Sequence, residues 1–244
     1  MTTVLLVRHG RTGANAGGVL AGWTEGVGLD DAGRAQAGEL ARRLAGVRLS
    51  ALVTSPLQRC QETTEQILAA RPSRRRPPVR VDARLGECRY GDWTGRAIKD
   101  LARDPLWRVV QAHPSAVTFP GEGGESLRGM QARAVEAVRA WNAQLGARTL
   151  YTVVSHGDVI KAILADALGL HLDQFQRLVV DPCSVSVVTY TELRPFVVRI
   201  NDTGGDLSTL QPPRAARGRR ASDAVVGGGP GVDRAGGVGD PSPA

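Results

Sequence analysis

The chain alternates short apolar runs with longer stretches whose apolar residues recur every three or four positions. The first run, Thr3 to Arg8, is short and continuously apolar up to Arg8, which suits a strand buried on both faces. Beyond Asp30, the residues Ala37, Leu40 and Leu44 fall at helical spacing, with Asp30 placed as the cap. Ala51 to Thr54 predicts a second strand, and Ser55-Pro56 a cap and first-turn pair for a helix through Ala70. Val79 to Val81 predicts a third short strand. Residues 96–124 hold no sustained period and predict irregular chain with one or two short helices. Glu125 to Leu145 reads as a long amphipathic helix, with Leu127, Met130, Ala134, Val138, Trp141 and Leu145 on one stripe. Thr149 to Val154 is another apolar strand, and the helix after it, Asp158 to Leu168, ends at Gly169. Val185 to Tyr190 and Phe196 to Ile200 predict two further strands.

Strands alternating with helices predict an α/β fold: a three-layer sandwich with a mostly parallel central sheet flanked by helices. In such sheets ligands bind beyond the carboxyl ends of the strands. From Pro212 the pattern disappears into Gly, Pro, Arg and Ala. Such a stretch buries too little apolar surface to offset its ordering entropy, so residues 212–244 are expected to be a disordered tail behind a folded body, residues 1–211.

Composition narrows the classes. At 244 residues the chain suits one large domain or two small ones. Its net charge of +7 would suggest nucleic acid as a partner. However, Lys99 and Lys161 are its only lysines, and the basic runs at 71–80 and 212–220 carry no aromatics for base stacking. They read as solvated loops, and no nucleic-acid partner is expected. Cys60, Cys88 and Cys183 are scattered, without metal-like spacing, so neither disulfides nor a structural metal is expected. No leader peptide or membrane-spanning run is legible, which makes a cytoplasmic setting the default. Oligomeric state is not legible.

Chemistry concentrates at strand ends. Arg8-His9-Gly10 follows the first strand, and Ser155-His156-Gly157 follows the strand at 149–154. Each glycine lets the backbone turn and leaves room for a ligand. If the two strands are neighbours, both imidazoles reach one crevice. Arg59, four residues after Ser55, lies about one turn into the following helix and can join Arg8 there. Two arginines with two histidines suit a compact dianion such as a phosphoryl group, aided by the helix N-termini after Ser55 and His156. Glu87, in the loop RLGECRYGDWTG, is a candidate proton donor. His113 and His171, away from any strand end, read as structural or surface histidines, and Trp93, Trp107 and Trp141 as packing residues.

These segments, taken together, resemble the histidine phosphatase superfamily, also called phosphoglycerate mutase-like. LVRHGRTGAN is similar to its LxRHGxTxxN opening, and GLDDAGRAQA (28–37) to its LTxxGxxQA helix start. TSPLQRCQET, GECRYGDWTG and VVSHGDVIKAIL resemble its later motifs in the family order, and PGEGGES (120–126) its PxGES segment. The resemblance implies a phosphoglycerate mutase-like fold and a catalytic domain over 1–211. It implies His9 as a nucleophile that becomes a transient phosphohistidine, with Arg8, Arg59 and His156 holding the phosphoryl oxygens. Glu87 would protonate the leaving oxygen and then activate water or an alcohol. Asn15, Ser55, Arg11 and Gly157 would contact substrate, and no metal or cofactor is needed. The sequence departs from the pattern at Arg11, where Glu or Gln is common, at Gly28 in place of proline, and at Thr94 in place of glutamate. Arg11 would favour a substrate with extra negative charge. The implied activity is a phosphomonoesterase acting on a small phosphorylated metabolite. A phosphomutase and an inactive phosphate-binding protein are the alternatives. The GxW form at Trp93 and the short body favour hydrolysis.

Overall fold

Strand β1 (Thr2–Arg8) is buried on both faces because its successive residues enter different cores. Val4 and Leu6 pack into one hydrophobic cluster, Leu5 and Val7 into another. The computed structural model describes residues 1–204 together with Gly227 and Gly229. After β1 come α1 (Gly13–Ala16), α2 (Asp31–Leu44), β2 (Leu52–Thr54), α3 (Gln58–Ala69) and β3 (Val79–Val81). Then follow α4 (Ile98–Leu101), α5 (Pro105–Ala112), α6 (Leu127–Leu145), β4 (Thr149–Ser155), α7 (Gly157–Leu168), β5 (Val185–Tyr190) and β6 (Pro195–Asp202).

The strands order as β3-β2-β4-β1-β5-β6. The pairs β3-β2, β2-β4 and β4-β1 are parallel; β5 and β6 add antiparallel at one edge. Helices α2 and α3 cover the face that carries Leu5, Val7, Leu52 and Val154. Helices α6 and α7, with the segment around Trp93, Trp107 and Phe119, cover the face of Val4, Leu6, Val53, Tyr151 and Val153. The result is the expected mostly parallel three-layer α/β sandwich. One feature of the order matters most for the site. Strand β4 inserts between β1 and β2, in a register that pairs Arg8 with Ser155. The next residue on each strand is a histidine, so His9 and His156 leave the sheet side by side.

Two local expectations are corrected. The helix after β2 begins at Gln58 with Leu57 in the cap position and no side-chain cap, not at Ser55-Pro56. The Ser55 hydroxyl instead accepts from Leu57 N at 3.3 Å and faces His156, which sets a turn before the helix. Arg59 therefore sits in the first helical turn rather than one turn deeper. The long helix begins at Leu127, because Ser126 caps it by accepting from Gly129 N at 3.0 Å. The irregular stretch holds two short helices, as expected: α4 and α5, the latter opened by Asp104 as cap and Pro105 in the first turn.

In the basic run at 71–80, Arg71 is buried and donates to the carbonyls of Leu44 and Val47, closing the end of α2. Arg74, Arg75, Arg76 and Arg80 are exposed, as expected of a solvated loop. The expected tail at 212–244 and its basic run at 212–220 lie outside the described residues, apart from Gly227 and Gly229. All three cysteines are buried free thiols. No helix among the described residues is long and apolar enough to cross a membrane.

Candidate active site

His9 is 2 % exposed, and its Nδ1 lies 2.7 Å from the Gly10 carbonyl. A carbonyl only accepts, so Nδ1 carries the proton and Nε2 keeps a lone pair. The ring lines a cavity of about 70 Å³ shared with Thr12, Asn15, Gly22, Arg59 and Glu87. Burial pushes the His9 pKa well below its ordinary value, and Arg59 and Arg8 push it further the same way. His9 is thus a neutral imidazole at pH 7, with its nucleophilic nitrogen available.

His156 meets His9 edge to face, with ring centroids 5.2 Å apart. Its Nε2 lies 2.8 Å from Ser55 Oγ and 3.5 Å from Cys60 Sγ, and its Nδ1 lies 3.8 Å from Glu87 Oε2. Burial holds this ring neutral too, ahead of the repulsion from Arg59 and His9. Glu87 is 3 % exposed and accepts from Cys88 N at 3.0 Å. Burial, and then the Asp158 carboxylate, raise its pKa to about 7 against the pull of Arg59. A carboxyl that still holds a proton near neutrality is suited to protonate a leaving oxygen.

Both expected arginines are buried. Arg59 donates through Nη2 to the Gly22 carbonyl at 2.9 Å, while its Nη1 has no hydrogen-bond partner among the described residues. An N–H of a buried guanidinium left in this state beside a neutral imidazole suits an anionic oxygen. Arg8 donates through Nη1 to the Val180 carbonyl at 2.8 Å. Asn15 lines the cavity while its Oδ1 accepts from the Thr12 backbone and hydroxyl, completing a capping box on α1. Gly157 opens α7 directly after His156 and is buried. Arg11 lies outside the cavity lining, with Nε 2.9 Å from Asp30 Oδ2. That carboxylate belongs to the cap residue of α2. His113 and His171 are exposed, and Trp93 and Trp107 stack in the core with centroids 6.0 Å apart.

The reason for Gly10 also changes. A Cβ there would lie 2.6 Å from the Gly33 carbonyl oxygen. At Gly33, one would lie 1.9 Å from the Arg11 carbonyl oxygen. The glycine after His9 thus lets the start of α2 press backbone to backbone against the loop. Room for ligand is not what demands it.

Several residues of the site carried no sequence signal that singled them out. Trp23 Nε1 donates to the Glu87 carbonyl at 2.6 Å, and Arg133 of α6 donates to it at 3.0 Å and to Gly86 at 2.8 Å. Together they clamp the backbone that presents the acid. Thr63 accepts from Gly10 N at 3.1 Å, tying α3 to the nucleophile loop. Asp158, fully buried beside Tyr90 and Lys161, was visible only as the residue after His156-Gly157.

A family model for the histidine phosphatase superfamily, branch 1, matches residues 4–203, and the chain belongs to that superfamily. It is 30% identical over 218 residues to the probable phosphoglycerate mutase GpmB of Photorhabdus laumondii subsp. laumondii, covering 87% of this chain and 97% of that protein. It is 29% identical over 211 residues to phosphoserine phosphatase 1 of Hydrogenobacter thermophilus, covering 83% and 93% respectively. Among solved structures it resembles Bacillus stearothermophilus YhfR, with a TM-score of 0.75 and 29% identity over 83% of this chain and 98% of that one. Members of the superfamily are phosphatases or phosphomutases, so the chain is of an enzyme class.

Proposed function

We propose that this protein hydrolyses small phosphate monoesters through a phosphohistidine on His9. The observation that carries the reading is the His9 ring: its Nδ1 is committed to the Gly10 carbonyl, which leaves Nε2 its lone pair, and the ring lines a cavity shared with Arg59 and Glu87. In the first step the Nε2 lone pair attacks phosphorus in line, the P–O ester bond breaks, and the leaving oxygen takes the Glu87 proton. The positive charge that forms on the ring is shared through Nδ1–H with the Gly10 carbonyl. In the second step the Glu87 carboxylate takes a proton from water, whose oxygen attacks phosphorus and breaks the N–P bond. Inorganic phosphate leaves and Glu87 is protonated again.

Phosphoryl transfer asks chiefly for positioning and for neutralisation of oxygen charge. Arg59 Nη1, the second arginine and the α7 N-terminus supply that charge, so the reading calls on no metal. Water as acceptor is supported by the GxW form at Trp93 and by a cavity with room for only a few water molecules. The similarity to a probable phosphoglycerate mutase favours, as the second reading, transfer to a substrate hydroxyl.

A release assay on a panel of phosphate esters, 3-phosphoglycerate included, distinguishes the two. Free phosphate from several esters, abolished by His9→Ala, is the expected result. Interconversion of phosphoglycerates without net release would replace hydrolysis by mutase chemistry, and full activity in His9→Ala would remove the covalent mechanism.

A further inference from the structure

Gly227 lies 69 positions beyond Asp158 in the chain, yet its backbone N–H donates to Asp158 Oδ2 at 2.8 Å. Gly227 and Gly229 also line the His9 cavity. The acceptor is a fully buried carboxylate. Its other partners are longer: Tyr90 Oη at 3.4 Å and Lys161 Nζ at 3.5 Å. The Gly227 amide therefore makes the shortest of these contacts to a charge that has no access to water, the setting in which a hydrogen bond holds best.

The position also requires glycine. Its φ is +76°, in the left-handed region, and a Cβ there would lie 2.9 Å from Leu20 Cδ1 and 3.6 Å from Tyr90 Oη. The backbone is thus seated directly on the cavity wall formed by Leu20 and Tyr90, with no side chain between.

We propose that Gly227, pinned by Asp158, is a wall of the substrate pocket that restricts the leaving group to a compact one. This deepens the hydrolase reading and rests on it. With the glycines in place the cavity measures about 70 Å³, the room of a few water molecules. A phosphoryl group occupies much of that. Beyond His9, Arg59 and Glu87, the described lining is Thr12, Asn15, Tyr90, small or aliphatic side chains and glycine backbone, with no further cation among the described residues. The pocket therefore suits a short alkyl phosphate and opposes a nucleoside or a second charged group. Asp158 does not line the cavity; it is a positioning residue acting through the Gly227 amide.

The test compares glycerol phosphate with adenosine monophosphate in the full-length protein. Gly227→Val cannot keep either the left-handed φ or the contact with Leu20, so it displaces the wall. It should raise kcat/KM for adenosine monophosphate relative to glycerol phosphate by about tenfold. Asp158→Ala should shift the same ratio in the same direction, and Asp158→Asn, which keeps an acceptor, should shift it less. Hydrogen exchange gives a readout independent of turnover: the Gly227 amide should be protected in the wild type and lose protection at least tenfold in Asp158→Ala. A ratio unchanged in Gly227→Val, or an unprotected Gly227 amide in the wild type, overturns the proposal. If neither ester is turned over while the Asp158-dependent protection is present, the pinned wall stands and the hydrolase reading falls.

Discussion

His9 and His156 occupy matching places: each follows a buried parallel strand, each precedes a glycine, and their rings touch. Their surroundings separate them. His9 gives one nitrogen to a carbonyl and turns the other to the cavity. His156 faces Ser55 and Cys60 with one nitrogen and Glu87 with the other, and it does not line the cavity. On the proposed mechanism, the same dipeptide at the same kind of strand end serves as the nucleophile in one case and as a held, positioning ring in the other. A histidine motif locates chemistry; the partners of its two nitrogens assign the role.

The largest expected effect tests that division directly. His9→Ala should lower kcat by about three orders of magnitude or more and abolish acid-labile phosphate trapped on the protein. His156→Ala should lower kcat by about a hundredfold and still trap phosphate. Trapped phosphate surviving in His9→Ala would reverse the assignment.

Glu87 sharpens the comparison next, because it stands against His156 rather than His9. Glu87→Gln should slow esters of poor leaving groups by about 10²–10⁴-fold and aryl esters with good leaving groups much less. The pH profile follows from the same environment. On the proposed mechanism Glu87 works protonated, and burial raises its pKa to about 7, so kcat/KM should fall as pH rises through that value. His9 works neutral and its pKa is held below the ordinary histidine value, so the acid limb lies below pH 6.5. The optimum is expected on the acid side of neutrality, and the alkaline limb should disappear in Glu87→Gln. Folding stability runs with the same group. The folded state holds the Glu87 proton more tightly than the unfolded chain, so stability falls as pH rises between about 4.5 and 7. Glu87→Gln should therefore stabilise the fold more at pH 8 than at pH 4 in chemical denaturation, by a difference on the order of 3 kcal/mol.

Smaller effects test the supports. Gly10→Ala forces a Cβ against the Gly33 backbone and should cost about 1–3 kcal/mol in chemical denaturation, the range of an overpacked core. A neutral result there would return Gly10 to a role in admitting ligand. Ser55→Ala removes only the hydroxyl partner of His156 and should cost about 1 kcal/mol, read as a few-fold loss in kcat with KM little changed.

Much of the site was legible because strand ends are marked by abrupt changes in pattern. Val4 to Val7 giving way to Arg8-His9, and Val154 to Ser155-His156, announce the ends of buried strands by hydrophobicity alone. The helix capped by Asp30 and the stop at Gly169 were legible for a similar reason, since caps act within one turn of chain. Ser55 misled because a local reading offers its hydroxyl only nearby amides, whereas a histidine 101 positions away faces it. The pairing of Arg11 with Asp30 was hidden likewise, by their distance along the chain.

By itself the sequence determined the alternation of strands and helices, the two strand-end histidines and the acid loop, because periodicity and capping are short-range properties. Tertiary structure decided what long-range pairing alone can decide. It placed β4 between β1 and β2, so that two histidines 147 positions apart share a crevice. It set the tautomer of His9, the proton on Glu87 and the seat of Gly227 on Asp158. Each of these depends on burial and on the partner facing a polar atom, and neither exists until the sheet is assembled.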